Sequence, residues 1–488
     1  MPHRRVRLAS TLHERSRPRK VAVVRSAVWM IAICVLLLAS RDGLTAPIRY
    51  TIAVDRQFKA VTVDACFGVG VPAQLSLSTE VAPNILSGLS LARRSRRSVY
   101  RATTVAKGCA HYALDLSGLP PGNPHAGFQR LTGAILIDPR WLLAVPHGGG
   151  SHTLELHFIL PVSARISAPA EIRAEGAGRW RLVLDTRAWD RSGRLGIGRM
   201  YQAKHSVGGA TLAVSVIGSL AAVPGASYAQ WVTQIATTMS AAFGRFPVPY
   251  TQVLLVLPAH TGEAVPWGEV VRAGGDGVLL YVDRTRGVEQ LAQDWVAFHE
   301  FSHLLHPFMG RRDSWWAEGL ASYYQNVLRA HAGQLTPQAA WRELHAGFGR
   351  GRSELDGSTL AVASHEMMTR RHFMRVYWSG AAIALLADVE LRLRTRNQHS
   401  LAEVLGQFSL CCLPVTREWT AREFMRRLDE IAGVAVFEPL LEHNFGALGF
   451  PDVSPAYAVL GLRDRAGELE IGGGAAERRL REAIMGSD

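Results

Sequence analysis

The chain has 488 residues, which is long enough for two or three domains and a sizeable core. Hydrophobic residues make up 48% and charged residues 19%, so the composition is globular and excludes wholesale disorder. The net charge of +13 does not predict a DNA or RNA partner, because no nucleic-acid-binding motif accompanies it.

Residues 1–46 have the composition of a targeting segment. They hold nine basic and two acidic residues and a thirteen-residue apolar run, AVWMIAICVLLLA, from Ala27 to Ala39. This run suits a signal-peptide core and is shorter than the roughly 20 residues that span a bilayer. Cleavage after Ala46 is one expectation, and an uncleaved membrane anchor is the alternative. Either way we expect an exported protein, periplasmic or secreted, that contacts a membrane only through this segment if it is uncleaved.

Residues 47–208 are predicted to form a β-rich domain of the β-sandwich type. Short alternating or apolar runs between Gly, Pro and Ser are typical of strands. These runs are IRYTIAVD, AVTVDACF, HYALDLSG, HTLELHFIL and WRLVLDT. Cys66 and Cys109 both lie here. A disulfide between them fits an oxidising compartment, and two free buried thiols remain the alternative.

Residues 209–330 mix predicted strands with helices, and one helix carries a distinctive motif. The segment VEQLAQDWVAFHEFSHLL is predicted to be helical up to Pro307, and it contains His299, Glu300 and His303. A helix repeats every 3.6 residues, so the two histidines lie on one face. In an H-E-x-x-H pattern such histidines bind zinc and the glutamate serves as general base. A chance match with two hydrogen-bonded core histidines is the alternative.

A third ligand is expected from the next helix. After HPFMGRRD breaks the motif helix, SWWAEGLASYYQNVLRA is predicted to form a second helix with Glu318 in its first turn. Two helices joined by a short loop pack side by side, which returns Glu318 towards the histidines. Two histidines, one glutamate and an open position form a catalytic zinc arrangement. A first-turn carboxylate favoured by the helix dipole is the alternative for Glu318.

The remaining chain is predicted to be largely helical. Residues 331–462 form a helical C-terminal domain, with helices expected at QAAWRELHAGF, SGAAIALLADVELRLRT, TAREFMRRLDEIAG and VFEPLLEHNFG. Residues 463–488 are polar and rich in glycine, and we expect a poorly ordered tail apart from a short helix at AERRLREAI.

The motifs together resemble a known family. HEFSH followed by WWAEGLASYY resembles the gluzincin metallopeptidases and, within them, the glycyl aminopeptidase-like family, and VYWSGAAIALLADVELRLRT is similar to the family's Y-x-x-G-A helix. The resemblance is best from about 230 to 462. It implies a multidomain α+β protein with an N-terminal β-domain, a thermolysin-like catalytic domain and a helical C-terminal domain. It also implies that Tyr377 donates to the oxyanion and that peptide bonds near an N-terminus are cleaved.

The sequence departs from the family pattern in two places. Fourteen residues separate His303 from Glu318, fewer than is usual, so the connecting loop must be tight. The family's substrate-binding strand carries a glycine pair and an acidic residue that holds the substrate's amino group. Gly274 and Gly275 match the pair and are the expected substrate-binding residues. No glutamate clearly matches, which leaves Glu269, Asp276 or a plain loop as alternatives.

These expectations combine into one functional hypothesis. We expect an exported metallopeptidase, an aminopeptidase, that holds one Zn²⁺ per chain and acts on a peptide or protein substrate. Glu300 would be its general base and Tyr377 its oxyanion donor. The alternative is a non-catalytic, zinc-containing peptide-binding protein on the same fold; the intact Glu300 argues against it, because a structural zinc site needs no base. Epoxide hydrolysis has no supporting feature in the sequence.

Overall fold

The structure is a computed structural model that describes most of the chain after the first 45 residues. The described ranges are 46–94, 98–123, 125–148, 150–186, 193–220, 223–258, 261–271, 275–413 and 417–487. The predicted targeting segment, residues 1–46, therefore lies outside the described residues except for Ala46. Among the described helices, none combines the length and apolar character that crossing a bilayer requires.

The N-terminal region is built from short strands. They are β1 (Ile48–Val54), β2 (Ala60–Cys66), β3 (Leu75–Leu77), β4 (Leu86–Ser87), β5 (Leu89–Arg94), β6 (Ser98–Ala102), β7 (Val105–Ala106), β8 (Cys109–Asp115), β9 (Phe128–Leu131), β10 (Ala134–Ile137), β11 (Val145–Pro146), β12 (Thr153–Ile159), β13 (Arg165–Ser167), β14 (Arg173–Gly176), β15 (Arg179–Asp185) and β16 (Leu195–Gly198). A 3₁₀ turn, Pro83–Ile85, and the short helix α1, Pro139–Leu142, interrupt them.

These strands form three sheets around one apolar core. The largest has the order β14-β15-β12-β1-β2-β8-β4, with β7 also paired to β8, and the others are β11-β3-β6-β5 and β13-β16-β10-β9. Alternate residues of β1 are buried, as expected for strands with one face on a core. Tyr50, Tyr100 and Ile135, one from each sheet, belong to the same cluster of buried side chains. The predicted β-rich N-terminal region is confirmed.

Two cysteine pairs lie close together in the described chain. Cys66 on β2 is directly opposite Cys109 on β8, and the structure joins them in a disulfide. A second disulfide, which the sequence did not predict, joins the adjacent residues Cys411 and Cys412.

A fourth sheet, of mixed strand direction, follows and packs against the motif helix. Its strands are β17 (Tyr201–Val207), β18 (Ala210–Gly218), β19 (Tyr250–Leu257), β20 (Trp267–Val271) and β21 (Gly277–Tyr281). They are ordered β17-β18-β19-β21-β20, with β18, β19 and β21 parallel and with β17 and β20 antiparallel at the two edges. Strand β17 pairs within this sheet although it precedes the predicted domain boundary at 208.

The two faces of this sheet have different neighbours. Leu254, Val256 and Leu279 pack against Ala134 and Leu136 of β10, in the N-terminal region. Side chains of the opposite face, such as Val253, Leu255 and Leu280, join the large core shared with the helices. The sheet is thus sandwiched between the β-rich region and the helical layer.

The helices cover the second face and form the C-terminal part of the chain. They are α2 (Gly225–Phe243), α3 (Val288–Ala292), α4 (Val296–Ser302), α5 (Ser314–His331), α6 (Pro337–Ser353), α7 (Leu360–Arg370), α8 (Phe373–Arg394), α9 (Leu401–Cys411), α10 (Ala421–Ala432), α11 (Phe437–Asn444), α12 (Ser454–Leu460) and α13 (Ala475–Met485). Gly244, with a φ of 74°, ends α2.

The last residues are more ordered than expected. A hairpin of β22 (Leu462–Arg465) and β23 (Glu468–Ile471) precedes α13, which contains the predicted short helix. Ile484 and Met485 are buried in the large core, and His331 on α5 contacts the carbonyl of Ile484. The expectation of a poorly ordered tail is therefore wrong, because a few apolar side chains anchor a mainly polar segment.

Candidate active site

The H-E-x-x-H motif lies across the end of one short helix. α4 contains His299 and Glu300, and a 3₁₀ turn, His303–Leu305, continues it directly. The backbone N–H of Val296, at the start of α4, donates to the Asp294 carboxylate at 2.7 Å. The two motif histidines are buried, and Glu300 is half-buried.

Glu318 meets both histidines. A 3₁₀ turn, Arg311–Asp313, leads into α5 and makes the tight connection that the fourteen-residue spacing requires. Glu318 Oε2 lies 3.2 Å from His299 Nε2 and 3.4 Å from His303 Nε2. The ligand atoms of the three residues all lie within 4.8 Å of one another. The structure thus brings together the three metal ligands predicted from the sequence.

This donor set fits zinc. Donors held at about 2.0–2.1 Å by a tetrahedral zinc ion lie about 3.3 Å from one another, close to the 3.2 and 3.4 Å between Glu318 Oε2 and the two histidine nitrogens. Two imidazole nitrogens and one carboxylate are a ligand combination of catalytic zinc sites, which leave a fourth position open. His299, His303 and Glu318 are therefore the residues that could hold one zinc ion.

The charges within the cluster favour an ionised Glu318. Burial raises the pKa of the Glu318 carboxyl, but the adjacent His303 and His299 outweigh burial and hold its pKa well below the usual range. Burial lowers the pKa of His299, but its hydrogen bond to Glu318 and the charges of Glu318 and Glu300 raise this pKa above its usual value overall. Glu318 is consequently a carboxylate, the form in which it can bind a cation.

Tyr377 lies beside the same cluster. Its ring stacks on the ring of His299, with centroids 5.9 Å apart and planes 13° apart. Burial, the negative charges of Glu318 and Glu300 and a hydrogen bond to Glu318 all raise the pKa of Tyr377 above its usual value. The phenol therefore keeps its proton at neutral pH and remains a hydrogen-bond donor.

Two glycines bring the helix of Tyr377 close to the helix of Glu318. A Cβ atom on Gly380 of α8 would collide with the carbonyl oxygen of Trp315, and one on Gly319 of α5 would collide with the backbone of Gly380. Only glycine allows helices to approach so closely at this crossing. The crossing is adjacent in sequence to Glu318 and three residues from Tyr377, which explains how both side chains reach one site.

The strand side of the site contains a glycine that the sequence did not single out. Gly274 lies outside the described residues, and Gly275 lies in the β20–β21 turn with a φ of +106°, against Pro169 of the N-terminal region. The glycine that faces the motif is Gly268 on β20, where an added Cβ would lie 2.9 Å from Glu300 Cδ and 3.0 Å from Oε1. Gly268 is therefore the glycine whose missing side chain leaves room for Glu300, whereas Gly275 packs against Pro169.

Glu269, the next residue, points to the other face of the strand. Gly268 is paired with Leu280 and Glu269 with Leu279, and cross-strand partners share a face of the sheet. Leu280 lies in the core with the helices, and Leu279 packs against the N-terminal region. Burial raises the pKa of Glu269, and the charge of Arg194 opposes this shift.

Sequence reasoning missed two further side chains at the ligands. Gln325 Oε1 lies 2.9 Å from His299 Nδ1, and His306 Nε2 lies 3.0 Å from His303 Nδ1. Their spacing was the available signal. Gln325 follows Glu318 by seven residues, two helical turns, and His306 follows His303 by three.

Comparison with known proteins gives matches in structure but not in sequence. No family model and no curated protein matches the sequence. A solved aminopeptidase N family protein from Idiomarina loihiensis has a TM-score of 0.64 at 15% identity, covering 85% of this chain and 78% of its own. The M1 zinc metallopeptidase of Deinococcus radiodurans has a TM-score of 0.51 at 18% identity, covering 83% of this chain and 94% of its own.

A mutant of the Deinococcus enzyme, solved with a Tyr-Ser-Ala substrate, gives a TM-score of 0.51 at 17% identity, covering 83% of this chain and 95% of its own. The chain has the fold of the M1 zinc metallopeptidases. The expected multidomain α+β architecture is thereby confirmed, and the shared fold spans most of the length of these proteins.

Proposed function

We propose that this protein is a zinc-dependent peptidase that hydrolyses peptide bonds. The proposal rests on the cluster of His299, His303 and Glu318, whose ligand atoms all lie within 4.8 Å of one another. Glu300 lies next to His299 on α4. The fold of the M1 zinc metallopeptidases supports it, and one of these neighbours is described with a peptide substrate.

The proposed metal is one zinc ion per chain, held by these three side chains. Zinc there would supply a Lewis acid that polarises the scissile carbonyl and lowers the pKa of a water molecule. The open position required for this chemistry follows from the three-residue donor set, since a structural zinc site takes four protein ligands.

Glu300 and Tyr377 perform the proton and charge steps in this proposal. Glu300 takes a proton from the attacking water and passes it to the leaving amine, the general base and acid roles of one carboxylate. Tyr377 donates its hydroxyl proton in a hydrogen bond to the oxyanion of the tetrahedral intermediate. Its raised pKa supports this role, because the phenol stays protonated while the intermediate forms.

We further propose that cleavage occurs near the amino terminus of the substrate. β20 is an edge strand of its sheet among the described residues, so its outer edge can pair with an extended peptide. Such a peptide passes Gly268, where the absence of a side chain leaves room for the Glu300 side chain against the strand. Glu269, next to Gly268 but on the opposite face of β20, and Asp276 are the two candidates for the carboxylate that holds the peptide's amino group.

Export remains part of the proposal and rests on residues 1–46 alone. Their basic character and thirteen-residue apolar run support a periplasmic or secreted protein, or one anchored in a membrane by this segment if it is uncleaved. The proposed partner is a peptide or protein, and no nucleic-acid partner is proposed.

Zinc analysis combined with a peptide library tests the function. We expect about one zinc per chain and cleavage of free peptides that stops when a chelator removes the metal. A protein that binds zinc and peptides without cleaving any member of the library would instead be the non-catalytic binding protein.

A further inference from the structure

The two histidines of the candidate zinc site are each held from behind by a buried partner. His299 Nδ1 faces the side-chain oxygen of Gln325 at 2.9 Å, and His303 Nδ1 faces Nε2 of His306 at 3.0 Å. His306 is fully buried, at 0% exposure, and its own Nδ1 lies 2.9 Å from the carbonyl oxygen of Pro307.

The hydrogen bonds from His303 to His306 and from His306 to Pro307 determine which imidazole nitrogens carry protons. A carbonyl oxygen only accepts hydrogen bonds, so His306 must carry its proton on Nδ1 to donate to Pro307. A neutral His306 then presents a lone pair on Nε2, which accepts from His303. His303 must therefore carry a proton on Nδ1, which leaves Nε2, 3.4 Å from Glu318, as the nitrogen that can bind a metal.

Local backbone geometry places His306 in this position. Residues His303–Leu305 form a 3₁₀ turn, in which side chains three residues apart lie above one another. The two imidazoles accordingly sit with ring centroids 5.3 Å apart and planes 78° apart. His306 has an extended backbone, with φ −134° and ψ 155°, and so ends the turn. Its ring remains in contact with the ring of His303.

We propose that His306 is a positioning residue that locks His303 in the Nδ1-protonated tautomer, with Nε2 directed at the metal position, and that Gln325 does the same for His299. This inference rests on the proposed zinc site. It assigns the two ligands unlike supports: an amide on the next helix for His299, and a histidine relay that ends on a backbone carbonyl for His303.

Substitutions at position 306 can separate the hydrogen bonds of His306 from its packing in the core. A leucine at 306 fills buried space but cannot accept from His303 Nδ1, which leaves that N–H unsatisfied and the ring free to adopt the other tautomer. A glutamine can accept through its oxygen and donate through its amide nitrogen to Pro307, so it preserves both functions of His306. His306→Leu and His306→Gln therefore separate hydrogen bonding from the filling of space.

The test measures zinc affinity by competition with a chelator, together with the melting temperature of each zinc-free protein. We expect His306→Leu to weaken zinc binding about 10–100-fold, the usual effect of losing a support of a ligand. His306→Gln should bind within about threefold of the wild type. His345→Leu is a matched control, because His345 is also buried and bonded, at 2.9 Å, to Tyr457, which lies outside the metal cluster; its zinc affinity should be unchanged.

The outcomes distinguish this inference from the proposed function. Wild-type zinc binding with an equally tight His306→Leu variant overturns the relay and leaves the zinc site intact. A wild-type protein that binds no zinc contradicts the proposed function itself. If His306→Leu does not fold, nitrogen-15 NMR of histidine-labelled, zinc-free wild type decides, since it reads tautomers directly. Nδ1 protons on His303 and His306 support the relay, and a His303 without a proton on Nδ1 rejects it.

Discussion

The site has a helix side and a strand side, and they differ in how they are built. On the helix side, α4, α5 and α8 bring His299, His303, Glu318 and Tyr377 together within a segment of fewer than 80 residues. On the strand side, β20 is held by pairing with β21 and by packing against the N-terminal region. The motif histidines thus follow from local periodicity, whereas the strand side also depends on packing against the N-terminal region, far away in sequence.

That difference leads us to expect a gradient of effects. Substitutions on the helix side remove chemistry, because those side chains bind metal or carry protons. Substitutions on the strand side alter how a substrate lies, because β20 contributes backbone and the space left by a glycine.

The largest effect is expected from the metal ligands. His303→Ala or Glu318→Ala removes one of three protein ligands, so zinc content should fall from about one per chain to near zero, with activity lost. Metal analysis after dialysis checks this. His365→Ala, at an exposed histidine of α7, is the control and should keep its zinc. Full zinc occupancy in the two ligand variants would show that His303 and Glu318 are not metal ligands.

Tyr377→Phe should have the next largest effect. It removes only the hydroxyl, so zinc content and folding should be unchanged while kcat falls by about 10²–10³. Steady-state kinetics on one peptide measures it. Tyr323→Phe is the matched control, since the Tyr323 hydroxyl donates instead to Asp388 at 2.8 Å, and its kcat should stay within about threefold. A similarly small change in Tyr377→Phe would mean that a group other than Tyr377 donates to the oxyanion.

Gly268→Ala tests whether the strand side supports the base. The added Cβ would press on Glu300 and shift its carboxylate, so kcat should fall about 10–10²-fold with zinc retained. Gly275→Ala should behave differently: a φ of +106° strains alanine, so the free energy of unfolding should drop by about 1 kcal/mol or more with little change in kcat. If the two variants exchanged these effects, the original expectation for Gly275 would be restored.

The smallest effect concerns the amino group of the substrate. If Glu269 holds it, peptides with a free amino terminus are cleaved faster than acetylated ones, and Glu269→Gln reduces that preference by about tenfold. Paired assays of each peptide in both forms measure the ratio. Equal rates on blocked and free peptides in the wild type would indicate endopeptidase action and leave Glu269 without this role.

The sequence predicted the helix side well because helical spacing is a local property. His299 and His303 follow from a four-residue interval, and Glu318 and Tyr377 from motifs on the two helices that cross at Gly319 and Gly380. The strands of the N-terminal region were also visible as alternating runs, and Ile48, Tyr50 and Ile52 are buried as that alternation requires.

The rest required pairing that no local pattern encodes. β1 runs parallel to β12, about a hundred residues later, and only this register determines which sheet each run joins. The position of Gly268 against Glu300 depends likewise on the pairing of β20 with β21, so no local pattern singled it out. The C-terminal hairpin was missed because its strands are short and mostly polar.

We infer that Glu300 is the general base of a zinc peptidase. The most direct measurement compares wild-type protein and Glu300→Gln for zinc content and peptide hydrolysis in the same preparations. Glutamine keeps the shape but cannot take a proton, so we expect equal zinc in both proteins and a loss of hydrolysis of at least about 10²–10⁴-fold in the variant. Equal zinc with near wild-type turnover in Glu300→Gln would contradict the account.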